Sequence, residues 1–127
     1  MMARAERLRA TRRGRTGEWL ASLRLMAAGY RIVARNFRSP AGEIDLIARR
    51  GRTLVFVEVK HRGDQAAAAL AILPRQQARI RRAAEAFLAT RPELATFSLR
   101  FDAMLLAPRR WPQHIVEAWR DAGGRTK

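Results

Sequence analysis

The chain has no cysteine. Disulfide staples and zinc–thiolate sites are therefore excluded, and a reducing compartment such as the cytoplasm is the expected setting. Long apolar runs are missing too. The longest, Ala66 to Leu73, is far too short to span a bilayer. No early segment joins a charged start to an apolar centre, as a secretory signal would. A membrane is thus not an expected partner. Acidic residues are scarce, 11 Asp and Glu against 26 Lys and Arg. Lysine is scarcer still: 24 of those 26 are arginine, leaving only Lys60 and Lys127.

What is present follows from that imbalance. The formal charge is +15 and the sequence pI near 11.9, extreme for 127 residues. Such a field favours polyanions, chiefly nucleic acid, through phosphate contact and counterion release. The length suits one domain burying roughly two-thirds of its unfolded surface. We expect a basic flexible tail over 1–15, a single domain over 16–120 and a polar tail over 121–127.

Within the domain, Gly17 to Ala28 reads as a helix whose apolar stripe is Trp19, Leu23, Met26 and Ala27. Gly29 stands where a left-handed C-cap is needed. Tyr30 to Asn36 alternates as a strand, with Tyr30, Ile32 and Ala34 on one face. Ser39-Pro40-Ala41-Gly42 is a turn. Glu43 to Arg49 and Thr53 to Lys60 form a hairpin, with Gly51 opening a type II′ loop. That register sets Arg50 opposite Thr53, Ile47 opposite Phe56, Asp45 opposite Glu58 and Glu43 opposite Lys60. Ile44, Leu46, Ala48, Val55, Val57 and Val59 then share one apolar face. The alanine-rich stretch after Arg62-Gly63-Asp64 resists reading. Pro74 to Thr90 is an amphipathic helix burying Ile80, Ala84, Phe87 and Leu88, with Arg75, Arg79 and Arg82 near its polar side. Ser98 to Leu106 and His114 to Trp119 complete a set of five strands.

Lys60 stands in an apolar strand, two residues after Glu58 and fifteen after Asp45. Strand side chains alternate, so Glu58 and Lys60 share a face. Two carboxylates directly across a ladder repel each other, and a bound cation turns that repulsion into binding. Phosphodiester hydrolysis needs a hard cation near the scissile phosphate, an attacking water and a group to hold that water. An ammonium beside a reacting oxygen is lysine chemistry, and this chain otherwise writes its positive charge as arginine. The bland alternative is a cross-strand Glu43–Lys60 ion pair at a sheet end.

The stretches Gly14-Arg15-Thr16-Gly17-Glu18, Gly42-Glu43-Ile44-Asp45-Leu46-Ile47-Ala48, Val55-Phe56-Val57-Glu58-Val59-Lys60 and Arg100-Phe101-Asp102 resemble the YraN family of small bacterial proteins. That family lies in the PD-(D/E)XK, or restriction-endonuclease-like, nuclease superfamily, and is similar in style to Holliday-junction resolvases. The resemblance covers about residues 14 to 119. It implies an α/β restriction-endonuclease-like core with a mixed central sheet flanked by helices. It implies Mg²⁺ or Mn²⁺ held by Asp45, Glu58 and the Val59 carbonyl, with Lys60 as the catalytic lysine and Glu18 completing the acidic site. The implied activity is endonucleolytic cleavage of branched DNA, and two symmetric cuts across a junction would call for a homodimer. Arg38, Arg62, Arg75, Gln77 and Arg79 are the candidates for nucleic-acid contact. Where the family usually has Lys-Gln at the start of the later helix, Gln76-Gln77 stand here. The alternatives are a nucleic-acid-binding protein that keeps the fold without turnover, and a structural basic protein.

Other residues read more plainly. His61 is expected to be a strand-end residue and His114 structural. Trp19 and Phe87 are expected in the core. Asp102 is an odd acid in an apolar run that an arginine could pair. Trp111, between Arg109-Arg110 and Pro112, could stack on a base or cover the end of the sheet.

Overall fold

The computed structural model describes residues 17–61 and 74–119. The expected tails, Arg62 and the alanine-rich stretch lie outside the described residues. Helix α1 (residues 17–27) is followed by strands β1 (Arg31–Ser39), β2 (Gly42–Arg50) and β3 (Thr53–His61), helix α2 (Pro74–Ala89), a 3-10 turn (Pro92–Leu94), and strands β4 (Ser98–Leu106) and β5 (Gln113–Trp119). The sheet is five-stranded in the order β1-β2-β3-β4-β5. All neighbours are antiparallel except β3 and β4, which are parallel. A parallel pair needs a crossover, and the chain between β3 and β4 contains α2. This is the expected α/β class with a mixed sheet, consistent with a restriction-endonuclease-like core. Among the described residues no helix is long and apolar enough to cross a membrane.

Local chemistry sets most boundaries. At the end of α1, Tyr30 N–H donates to Leu25 O and Gly29 N–H to Met26 O, each at 3.0 Å. Those two bonds make a Schellman motif, which needs the left-handed φ of +91° found at Gly29. Tyr30 and Leu25 then pack in one cluster. In the β2–β3 turn Gly51 has φ +60°, as the first central residue of a type II′ turn requires. The register follows, with Arg50 opposite Thr53 and Ile47 opposite Phe56.

The sheet is covered on both faces. Toward α2, Ile47, Leu54, Phe56, Leu99, Phe101 and Trp119 pack with Ile80, Ala83, Ala84, Phe87 and Leu88. Phe101 stacks on Trp119 with ring centroids 4.2 Å apart. Toward α1, Leu46, Ala48, Val55, Val57, Met104 and Leu106 pack with Ala21, Leu25 and Tyr30.

Three expectations need correction. First, α1 is turned the other way. Gly17, Ala21, Ser22 and Leu25 are buried, while Trp19 is 59% exposed and Met26 44%. The helix sits close on the sheet: a β-carbon at Gly17 would lie 2.9 Å from Leu106 Cδ1. Only the small-residue stripe fits there, so Trp19 is not core. Second, Ile44 packs in the α2 cluster, not with Leu46 and Ala48. The β2–β3 ladder runs only to Leu46 opposite Val57, and β2 stays paired with β1 beyond it. Third, a register shift between Ile32 and Ala34 leaves Ile32 on the α1 side and Ala34 on the α2 side. A bulge of this kind breaks the period-two alternation.

Asp102 is fully buried on β4 and saturated with donors. Arg100 meets it in a fork, Nε at 2.9 Å and Nη2 at 2.8 Å, and also donates to Tyr30 Oη at 2.5 Å. His114 Nε2 lies 2.7 Å from Asp102 Oδ2, and Glu117 N–H donates to Oδ1 at 2.9 Å. Glu117 takes a left-handed φ of +53° at a register shift between β4 and β5. The carboxylate therefore ties the last strand to the sheet across a bulge. His114 is structural, as expected, and Asp102 has its arginine. Burial alone would raise the Asp102 pKa, but the bonds from His114, Arg100 and Glu117 outweigh it and hold it below the ordinary value.

A lowered folded pKa gives stability that is present above the unfolded value, about 4, and lost as pH falls through the folded one. Asp102→Ala should cost roughly 3–5 kcal/mol at pH 7, because it strands Arg100 without its counter-charge. Its loss relative to the parent should shrink toward pH 2. Urea unfolding at both pH values checks this, and an unchanged midpoint at pH 7 would refute the anchoring role.

Candidate active site

The site forms where β2 and β3 part. Past Leu46 and Val57 the main-chain ladder stops, and Asp45 Oδ2 accepts the Val59 N–H at 2.7 Å. A side chain thus takes a bond that the ladder would otherwise supply. The Asp45 and Glu58 carboxyl groups are neighbours, near enough for Asp45 to raise the pKa of Glu58. Lys60, two residues along the same strand, is near enough for its charge to act on Glu58. Asp45, Glu58 and Lys60 are each half-buried, neither sealed under a helix nor fully in water.

The electrostatics follow. Burial and then the neighbouring Asp45 carboxyl raise the Glu58 pKa to about 8, against a weaker downward pull from Lys60 and Gln76. Carboxylate oxygens are what a hard dication takes, and such an ion would relieve the repulsion between the two acids. The donor set therefore fits Mg²⁺ or Mn²⁺. Among the described residues no group of three or more His, Cys, Asp or Glu side chains is placed to hold a metal ion. Mg²⁺ commonly uses one or two carboxylates and completes its shell with water and phosphate oxygens. Val59 has its side chain in the α1-side cluster and its backbone at the site.

Helix α1 brings Glu18 within range of the Asp45 charge. Its pKa is raised by burial, then by the charges of Asp45 and Glu43, with Arg38 and Arg35 pulling it down. The absent β-carbon of Gly17 makes this approach possible, since one would also meet His61 Cε1 at 3.1 Å. His61 is accordingly a packing residue at the strand end. Ser22 Oγ donates to the Glu18 carbonyl at 2.8 Å and accepts from Arg35 Nε at 3.2 Å, linking the helix to β1.

Helix α2 closes the other side. Gln76 in its first turn donates from Nε2 to Glu58 Oε2. The helix passes close to Gly42 at the start of β2, where a β-carbon would touch Arg79 Cβ and Arg79 O at 3.4 Å. Gly42 also has φ +154°, which side chains disfavour. Arg79 is thus packed against the entry to the Asp45 strand, and Arg75 is exposed at the helix start. Gln77 is half-buried beside Gln76.

The residue that sequence reasoning undervalued is Gln76. It stands four residues before Ile80, so it continues the buried stripe toward the sheet; that spacing was the available signal. Glu43 does not pair with Lys60 as the bland alternative supposed. It pairs with Arg38 across β1–β2 at 3.3 Å, on the surface. Arg62 lies outside the described residues.

A family model described as "Uncharacterised protein family UPF0102" matches residues 17–106. A UPF0102 protein of Parvibaculum lavamentivorans is 56% identical over 113 residues, covering 89% of this chain and 85% of its own. One of Methylorubrum extorquens is 54% identical over 118 residues, covering 92% of each. One of Bradyrhizobium diazoefficiens is 52% identical over 118 residues, 93% of this chain and 89% of its own.

The Glu58 shift has a measurable sign. The unfolded chain loses this proton near 4.5 while the folded chain keeps it to about 8. Folding is therefore increasingly disfavoured as pH rises between those values. Glu58→Gln, which cannot ionise, should gain stability relative to the parent from pH 5 to pH 8 in chelator, by on the order of a few kcal/mol. A stability difference independent of pH would mean that Glu58 is not held neutral.

Proposed function

The chain belongs to the UPF0102 family, the YraN family, and from that premise we propose that it is a metal-dependent endonuclease hydrolysing phosphodiester bonds in branched DNA. The observation that carries this reading is that Asp45, taking the Val59 N–H where the β2–β3 ladder ends, and Glu58, held by Gln76, stand close together with Lys60 on the same strand. Two neighbouring half-buried acids repel each other unless a proton or a cation relieves the repulsion.

When bound by Asp45, Glu58 and the Val59 carbonyl, Mg²⁺ or Mn²⁺ supplies charge neutralisation at the scissile phosphate. The other tasks fall to the chain. Lys60 offers ammonium protons to a non-bridging phosphate oxygen or to the attacking water, holding either in line. Gln76 fixes the Glu58 carboxylate from α2, and the Val59 N–H fixes Asp45. Glu18 adds a third acid at the rim. On this reading Arg38, Arg75, Gln77 and Arg79 are the phosphate contacts, with Arg62 added by its place in the sequence.

A second reading has one observation in its favour. Gln76, which is neutral, stands against Glu58 where the resemblance expects a Lys-Gln pair. On that reading the protein binds nucleic acid through the same fold and does not cut it.

One panel separates the two. Purified protein is incubated with single-stranded, duplex, flap and four-way-junction DNA in Mg²⁺ or Mn²⁺. We expect cutting of a branched substrate, lowered roughly 100-fold or more by Asp45→Ala and by Lys60→Ala. Binding by both variants should stay close to that of the parent. No cutting on any substrate, with binding that falls steeply in salt, would leave the second reading. Activity surviving both substitutions would mean that the chemistry lies elsewhere.

A further inference from the structure

The β4–β5 loop carries an aromatic residue that the carboxylate site does not use. Trp111 is 61% exposed, whereas Trp119, which does cover the sheet, is 8% exposed. A tryptophan closing off the core would lose its surface as Trp119 does, so covering the sheet end is not what Trp111 achieves. The ring is nonetheless held. Arg24 of α1 places its guanidinium carbon 5.9 Å from the ring centroid and donates from Nε to Pro112 O at 3.1 Å. The loop itself is a closed turn, with Arg109 at φ +59° and Arg110 N–H donating to Ala107 O at 3.3 Å. Among the described residues, neither Arg109 nor Arg110 takes part in an ion pair, and both are exposed.

The position of the loop matters as much as its content. Strand β4 runs parallel to β3, with Lys60 opposite Leu105 and His61 opposite Leu106. Leu105 in turn faces Gln113 of β5. The loop therefore leaves the sheet at the end where Lys60 stands. Strands lie about 4.8 Å apart, so the loop is roughly 10–15 Å from the carboxylates along the sheet edge.

A positioned indole with open area, the Arg24 guanidinium against its ring, two exposed arginines just before it in the loop and a chain charge of +15 together suit one kind of occupant. It has flat π-faces and carries phosphates. We propose that Trp111, with Arg24, Arg109 and Arg110, is a stacking site for an unpaired base of single-stranded DNA leaving the carboxylate site. The base lies on the indole, and the guanidinium groups meet the flanking phosphates. A duplex offers no unpaired base to the ring, so the site selects substrates with a single-stranded arm. The inference rests on the nuclease reading only for the polymer being DNA.

The test uses the full chain in chelator, so that cutting plays no part. Fluorescence anisotropy measures binding to a labelled oligothymidylate and to a blunt duplex of equal length. Trp111→Ala should weaken single-strand binding roughly tenfold or more and change duplex binding by less than about twofold. Trp111→Phe should recover most of the loss. The salt slope should be unchanged in Trp111→Ala and reduced by about one in Arg109→Ala. Equal losses on both DNAs, no loss on either, or no single-strand binding by the parent would overturn the proposal. So would a dependence on Trp111 seen with RNA of matching sequence and absent with DNA. Divalent-dependent cutting is scored separately. Cutting without Trp111-dependent binding removes this inference alone, and Trp111-dependent binding without cutting removes the nuclease reading alone.

Discussion

Two carboxylates held against each other at the parting of β2 and β3 are the constraint on which the site depends. Their mutual repulsion, when both are charged, can be relieved only by a proton or a cation. Everything nearby serves to keep them there in spite of it. The Val59 N–H holds Asp45, Gln76 holds Glu58, and the missing side chain of Gly17 lets α1 close in. The parting of the strands is part of the same arrangement. It frees the Asp45 side chain to reach across, and it brings Asp45 within the influence of Glu18 on one helix and of Glu58 and Gln76 toward the other.

Asp102 makes an instructive contrast. It is more deeply buried than Glu58, yet its pKa moves down while that of Glu58 moves up. The difference is in the partners. Asp102 accepts from a guanidinium fork, a main-chain N–H and a histidine, so its charge is fully answered and its role is to fasten β5. Glu58 has the Gln76 amide and the Lys60 charge in its favour and another acid against it. An answered buried charge is architecture. An unanswered one, half-open to solvent, is where the proposed cation would stand. The same sheet therefore carries both kinds of acid within a few strands of each other.

Much of the sheet was legible because its signals are local. A glycine at the first position of a two-residue loop sets the β2–β3 register, which holds as far as Leu46 opposite Val57; the expected pairings of Asp45 with Glu58 and Glu43 with Lys60 lie beyond the end of that ladder. The stripe of Ile80, Ala84, Phe87 and Leu88 on α2 is equally plain at helical spacing. Helix α1 was misread because it carries two stripes. Periodicity finds both, but it ranks the one with Trp19, Leu23 and Met26 above the one with Gly17, Ala21 and Leu25. Close approach to Leu106 and His61 reverses that order, and close approach is not a property of the helix alone. Gln76 was passed over for the same kind of reason: its spacing marks the face, but not what the face meets.

The residues by themselves determined most of the helices and strands, the β2–β3 hairpin, the chemical character of the Asp45, Glu58 and Lys60 set, and the strongly basic charge; the α/β class came with the family resemblance. Period, turn chemistry and charge act over a few residues, so they can be read in one dimension. Only the tertiary structure decided which face of α1 lies on the sheet, that Ile44 crosses to the other layer, that Gln76 rather than Lys60 is the hydrogen-bond donor to Glu58, and that Trp111 is left in solvent at the same end as the acids. Each of those depends on how closely two elements can pack, and that distance is set by side chains far apart in the chain.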